Sequence, residues 1–260
     1  MTSRSPIQLC YAWHQADCRV TITGADDKVD PKTLVELSKK YPFVEWGVLV
    51  SHSRVGTSRY PSMRWAREAT GMLAVNGAHF AIHLCGETRA YYQRNRLESV
   101  ALVERLTQDA IVPTQCRVQL NGFDHTLEGF DPPNPFVPHI LPVKSDNLPE
   151  AMGKKYAFNA QFLFDESGGR GVQTDPDLAC RRIESVMRMT PSYSRRPTGF
   201  AGGLREDNIA RAMKRVFMMS SYEFDLPDCW VDLESGVRTD NEFDMSKVEA
   251  VLEAASKAFG

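Results

Sequence analysis

The sequence predicts an α/β fold built as a single (β/α)8 TIM barrel over residues 1–260, with an irregular or missing fourth helix. Short apolar runs rich in β-branched residues recur between helix-patterned stretches, which is how a parallel sheet or barrel reads in sequence. Eight such runs can be counted in the 260 residues, a length that one barrel fills on its own.

The first strand is Arg19–Thr23, after an irregular segment before residue 18. Asp30-Pro31 then opens a helix running through Leu34–Lys40, because proline suits a first helical position. Val44–Val50 is the second strand and Pro61–Ala69 the next helix; Phe80–Leu84 and Arg117–Leu120 are strands three and four. Asn121 to Phe136 holds Gly122, Gly129 and the run Asp131-Pro132-Pro133-Asn134-Pro135, which a regular helix cannot absorb. Val137–Val143, Ala160–Phe164, Thr198–Ala201 and Trp230–Leu233 complete the set, with Pro191–Pro197 as another irregular piece. In the last helix Asp244 is placed to cap the N-terminus, and Val248, Val251, Leu252 and Ala255 share one face that packs on the barrel.

Lys plus Arg total 31 against 33 Asp plus Glu, and the net charge of −2 lacks the electrostatic footprint of a dedicated nucleic-acid binder. No apolar run reaches signal-peptide or membrane-spanning length, so a soluble cytoplasmic protein without a membrane partner is expected. The six cysteines, Cys10, Cys18, Cys85, Cys116, Cys180 and Cys229, form no CxxC pair, which argues against a zinc site and a disulfide scaffold alike.

Three strand-to-helix junctions carry chemistry. In Phe200-Ala201-Gly202-Gly203-Leu204-Arg205 two glycines let the backbone approach an anion, and the following helix directs its N–H groups to the same place; a tight turn is the competing explanation. One βα unit later, Val231-Asp232-Leu233-Glu234-Ser235-Gly236-Val237 again ends a strand in a small hydrogen-bonding pair, and the loops after strands seven and eight are the recurrent phosphate site of this fold. The third junction, Phe164-Asp165-Glu166-Ser167-Gly168-Gly169-Arg170-Gly171, sets a carboxylate at a strand end, where it serves as a proton donor or acceptor or caps the loop.

In this order the junctions resemble those of phosphoribosylanthranilate isomerases, which carry an Asp before a GG-x-G loop, an A-G-G-L with a later Asn, and a V-D-x-x-S-G-V. The counterparts here are Asp165 with Gly168, Gly169 and Gly171, then Ala201 to Leu204 with Asn208, then Val231, Asp232, Ser235, Gly236 and Val237. Val118-Gln119-Leu120-Asn121-Gly122 is similar to the family's V-Q-L-H-G with Asn for His, and Ser58-Arg59-Tyr60 to its S-P-R-Y. The resemblance implies a small phosphorylated sugar metabolite as partner, held by Gly202, Gly203, Ser235 and Gly236. It further implies Arg59 as an anion contact, Asp165 as a general acid, and an intramolecular aldose–ketose (Amadori) isomerisation that needs neither cofactor nor metal.

The chain departs from that pattern at the end of its first strand. The family reads K-I-C-G there, its cysteine acting as general base, whereas this sequence reads Thr21-Ile22-Thr23-Gly24. An unactivated hydroxyl cannot replace a thiolate near neutral pH. His83 and Cys85 lie two apart on one strand face and project at the same mouth, so His83 is the candidate replacement base; a structural histidine is the other explanation. Asp26 and Asp27 serve either chemistry or, as favoured here, turn formation and capping. A Lys144-dependent lyase and a non-catalytic phosphate-metabolite binder remain as alternatives.

Overall fold

The computed structural model describes residues 18–110, 115–125, 130–144, 159–165, 177, 181, 197–218 and 229–258. Its strands are β1 (Arg19–Thr23), β2 (Val44–Val50), β3 (His79–Leu84), β4 (Cys116–Leu120), β5 (His139–Val143), β6 (Ala160–Asp165), β7 (Thr198–Ala201) and β8 (Cys229–Leu233). Each pairs in parallel with the next, and β8 pairs with β1 to close the barrel. The bounds agree with the sequence reading to within two residues. The largest difference is at β5, where Pro138, lacking an N–H, stays outside the ladder as a donor while its carbonyl accepts from Val118 at 2.9 Å.

The helices are α1 (Pro31–Lys40), α2 (Met63–Val75), α3 (Gly86–Gln93), α4 (Leu97–Thr107), α5 (Glu206–Met218) and α6 (Met245–Ser256). Asp30 caps α1 by accepting from the Lys32 N–H, Ser62 caps α2 through Trp65, and Asp244 caps α6 through Ser246 and Lys247. Val248, Val251, Leu252 and Ala255 of α6 are all buried, as their spacing requires. Two helices, α3 and α4, fill the interval between β3 and β4, while among the described residues between β4 and β5 there is none. Aromatic packing covers that side instead. Phe123 and Phe130 meet edge-on at 5.4 Å, and Tyr92 of α3 shares a 2.9 Å hydrogen bond with His139 Nε2. A short antiparallel hairpin follows β8, with β9 (Arg238–Thr239) and β10 (Glu242–Phe243) joined through Asp240 and Asn241, both in the left-handed region. The segment before residue 18, most of Pro191–Pro197, and Gly168, Gly169 and Gly171 lie outside the described residues.

Along each strand, side chains alternate between the helix layer and the barrel interior. Outward positions such as Val20, Ile22, Val48, Ile82, Leu141 and Val231 join one large apolar cluster, whereas Ile140, Leu163, Ala201 and Trp230 form a small separate cluster inside the barrel. The rest of the interior is polar at its base. Glu45 accepts from Arg117 Nε at 2.8 Å and from Arg117 Nη2, from Thr21 Oγ1 at 2.8 Å, and lies 3.5 Å from Arg19. Burial alone would raise the Glu45 pKa; the two guanidiniums outweigh it and hold the carboxyl at about 2. Arg117 also stacks 4.1 Å above the Trp230 ring and donates to Gln161 Oε1 at 3.0 Å. Gly199 makes room for that indole, because a methyl group at this position would overlap it. Among the described residues this ionic layer fills the barrel interior near the strand starts, below the end where the strands terminate. No helix among the described residues is long and apolar enough to cross a membrane.

Candidate active site

A cavity of about 600 Å³ opens at the C-terminal ends of the strands, the end at which barrel enzymes carry their sites. Thr23 of β1, Leu49 of β2, His83 and Cys85 at β3, Gln119 and Asn121 at β4, Pro142 and Lys144 at β5, and Asp165 of β6 bound it. Ala201 at the end of β7 with Gly202 and Gly203 after it, and Asp232, Glu234 and Ser235 at β8, close the circle. The structure thus brings together Asp165, His83, Arg59, Gly202, Gly203 and Ser235, six of the residues singled out in the sequence.

Gly202 and Gly203 both have positive φ, 119° and 64°, a geometry that explains the glycine pair. Asn208 of α5 fixes this turn: its Oδ1 accepts from Arg205 N at 2.9 Å and its Nδ2 donates to the Gly203 carbonyl at 3.1 Å. Gly236 is placed differently from its neighbour Ser235. Instead of bounding the cavity it packs against the Leu204 backbone carbonyl, where any Cβ would collide. It joins the β7 and β8 junctions into one wall, leaving Gly202, Gly203 and Ser235 to face the space.

Arg59 also bounds the cavity, but its guanidinium engages protein acceptors. Nη1 pairs with Glu234 at 2.8 Å and Nε donates to Asn241 Oδ1 at 2.9 Å. With Arg238, which donates to the Gly24 carbonyl at 2.9 Å and to Ser58 Oγ at 3.2 Å, it ties the loop after β2 to the β9–β10 hairpin. Asp26 and Asp27 serve this loop scaffold as well: Asp26 accepts from Lys28 N at 3.1 Å and Asp27 from Ser62 N at 2.6 Å.

His83 is fully buried, and desolvation depresses its pKa to about 4, so the imidazole is neutral at physiological pH. Its Nε2 has no hydrogen-bond partner among the described residues. Thr23 and His83 approach each other over Gly47, whose missing side chain leaves the gap they occupy. Cys85 shares the strand face as expected and accepts from Asn121 Nδ2 at 3.2 Å; burial raises its pKa, so it remains a thiol. Lys144 stands exposed at the rim, whereas a Schiff-base lysine needs desolvation.

The group that the sequence reading passed over is Asp232. It is buried beneath the phosphate-loop candidates, accepts from Thr23 Oγ1 at 2.9 Å, and its second oxygen lies 3.5 Å from Gln119 Nε2. Burial raises its pKa to about 7, the Thr23 and Gln119 hydrogen bonds opposing and the neighbouring Asp165 and Glu45 charges adding to the effect. Alternation from Trp230 was the available signal, since residues 230, 232 and 234 must share one strand face.

The fold and this polar mouth define a closed eight-stranded α/β barrel with a ligand-sized site at its C-terminal end. No family model and no curated protein matches the sequence. Among solved structures, the barrel is similar to N-(5'-phosphoribosyl)anthranilate isomerase from Pyrococcus furiosus, with 17% identity and a TM-score of 0.52 over 92% of this chain and 99% of that one. It is also similar to phosphoribosyl anthranilate isomerase from Thermococcus kodakaraensis, with 16% identity and a TM-score of 0.51 over 91% and 97% of the two chains. At these identities the likeness establishes the barrel fold alone, and nothing about chemistry.

Proposed function

We propose that this barrel binds a small phosphorylated sugar and catalyses its aldose-to-ketose isomerisation, with Asp165 as the general acid. The observation that carries the reading is the joined β7–β8 wall. A double-glycine turn held open by Asn208 stands beside Ser235 on the same cavity as the strand-end carboxylate Asp165. Backbone N–H groups of such turns suit phosphate oxygens, and a phosphate anchored there brings the sugar over the carboxylate. The motif order shared with phosphoribosylanthranilate isomerases and the likeness of the barrel to two of their structures support this substrate class.

In the reaction Asp165 protonates the ring oxygen of an N-glycosylamine phosphate. The C1–O bond breaks and the nitrogen lone pair forms the C1=N bond. His83, neutral and bounding the same cavity, is suited to lie beside the open-chain sugar. The decisive experiment follows the fluorescence of freshly generated phosphoribosylanthranilate with wild type and Asp165→Asn, beside calorimetric titration with inorganic phosphate. Turnover that Asp165→Asn abolishes, with phosphate still bound, supports the reading. Phosphate binding without turnover leaves a phosphate-metabolite binder, and no phosphate binding removes the site.

A further inference from the structure

We propose that Asp232 is the catalytic base that takes the substrate's C2 proton, and that Thr23, standing where a thiolate would be expected, acts on the reaction only by positioning it. The inference rests on the isomerase reading above and supplies the step which that reading leaves open.

The placement of the two carboxylates is the main argument. In the strand register Asp165 pairs with Ala201 and Ala201 pairs with Asp232, so the two acids lie on one hydrogen-bonded row with only a methyl group between them. Two strand spacings put their Cα atoms roughly 10 Å apart. The row continues to Thr21 and then Glu45 near the start of β2, so it descends into the barrel, with Asp165 at the mouth and Asp232 deeper. A sugar ring laid over Ala201, its phosphate on the turn that begins at the next residue, has one carboxylate above and one below. Asp232 also bounds the cavity directly, which a purely structural acid in the ionic base layer does not.

The second argument is electrostatic. Asp232 is faced by Thr23 from β1, Gln119 from β4, Asp165 from β6 and Glu45 from β2, with Glu234 just past the end of its own strand and His83 of β3 acting on Glu234. Burial and the surrounding carboxylates make it a stronger base than an ordinary aspartate, with a pKa of about 7, whereas burial leaves His83 the weaker one at about 4. Thr23 and Gln119 are both oriented as donors toward it, which favours the carboxylate and fixes its direction.

The proton balance closes without any co-reactant. After ring opening, the Asp232 carboxylate removes the C2 proton, the C2–H electrons form the C1=C2 bond, and the C=N electrons return to nitrogen. The proton on Asp232 is then delivered to C1 while the C2 hydroxyl proton passes to the Asp165 carboxylate. The C2 carbonyl forms, and both acids regain their starting states.

The test compares wild type, Asp165→Asn, Asp232→Asn and Thr23→Val with phosphoribosylanthranilate across pH 5 to 9, with inorganic phosphate titrated into each. Asp232→Asn is expected to lose at least about a hundredfold in kcat while KM and phosphate affinity change less than about threefold. Wild-type kcat/KM should carry an ionisation limb near neutrality, and Thr23→Val, stripped of the donor that favours the carboxylate, should move it to higher pH. Wild-type turnover that Asp232→Asn retains, or a limb that Thr23→Val leaves in place, overturns the assignment while the isomerase reading stands. Absence of turnover in the wild type overturns both. Should Asp232→Asn fail to bind phosphate, the limb in Thr23→Val decides alone.

Discussion

Thr23 Oγ1 donates a 2.9 Å hydrogen bond to Asp232 Oδ1 across the seam where β1 meets β8, closing the barrel with a buried polar pair. The geometry depends on Gly47, which leaves a gap between Thr23 and His83. A Cβ built there would overlap Thr23 Oγ1 and stand 3.0 Å from His83 Nε2. Gly47→Ala is therefore expected to displace Thr23 and to destabilise the fold by about 1–3 kcal/mol, the usual cost of overpacking. Urea unfolding measures that loss, and an unchanged midpoint would show that the two side chains separate freely.

The Asp232 carboxyl makes a signed prediction for stability. Its folded pKa of about 7 lies above the 3.8 of an ordinary aspartate. Between those values the folded chain holds a proton that the unfolded chain has released, so this residue's contribution falls as pH rises through the window and levels off above about 7. The difference corresponds to at most about 4 kcal/mol. Asp232→Asn stays neutral throughout, so its melting temperature should gain on wild type between pH 5 and pH 8. His83, with its lowered pKa, loses its contribution as pH falls from 6.5 toward about 4, and it does so in both proteins, so it cancels from the difference. A constant gap between the two melting curves would refute the buried, raised carboxyl.

The strands and the double-glycine turn after β7 were legible in the sequence because local chemistry dictates them. β-branched runs fix the ladder, Asp244 fixes the start of α6, and the φ of 119° at position 202 calls for glycine. What escaped the sequence depends on pairing between distant strands. Asp232 was visible as part of a motif, but its bond to Thr23 spans 209 residues, and the register that aligns it with Asp165 exists only once the barrel closes. For the same reason Arg59 could be read as an anion contact, while the Glu234 and Asn241 partners of its guanidinium could not. The hairpin that supplies Asn241 has strands of two residues, too short for any periodicity to reveal.

Gly236 offers a test of the joined wall that is independent of the acids. Its backbone lies against the Leu204 carbonyl with no room for a side chain. Gly236→Ala should push the β8 junction away from the β7 turn and weaken inorganic phosphate binding at least about tenfold, equivalent to ~1.4 kcal/mol. Calorimetry reads this directly. Undiminished affinity would mean that the Gly202–Gly203 turn holds the anion without help from its neighbour.

The ionic layer under the site is the part of the barrel most exposed to a single substitution. Glu45 is fully buried and neutralises Arg117 and Arg19 together, so Glu45→Gln leaves two guanidiniums in the interior without their carboxylate. Breaking one side of such a buried pair costs about 3–5 kcal/mol. The sign with pH is the reverse of that for Asp232. The folded pKa of about 2 lies below the 4.5 of an ordinary glutamate, so the stabilisation is complete above pH 4.5 and is lost as pH falls toward 2. Wild type and Glu45→Gln should therefore differ by a constant amount from pH 5 to 8 and converge in acid. Because Arg117 stacks on Trp230 two residues before Asp232 in the chain, the variant should also alter tryptophan fluorescence. A variant as stable as wild type at pH 7 would show that the arginines find other anions or water.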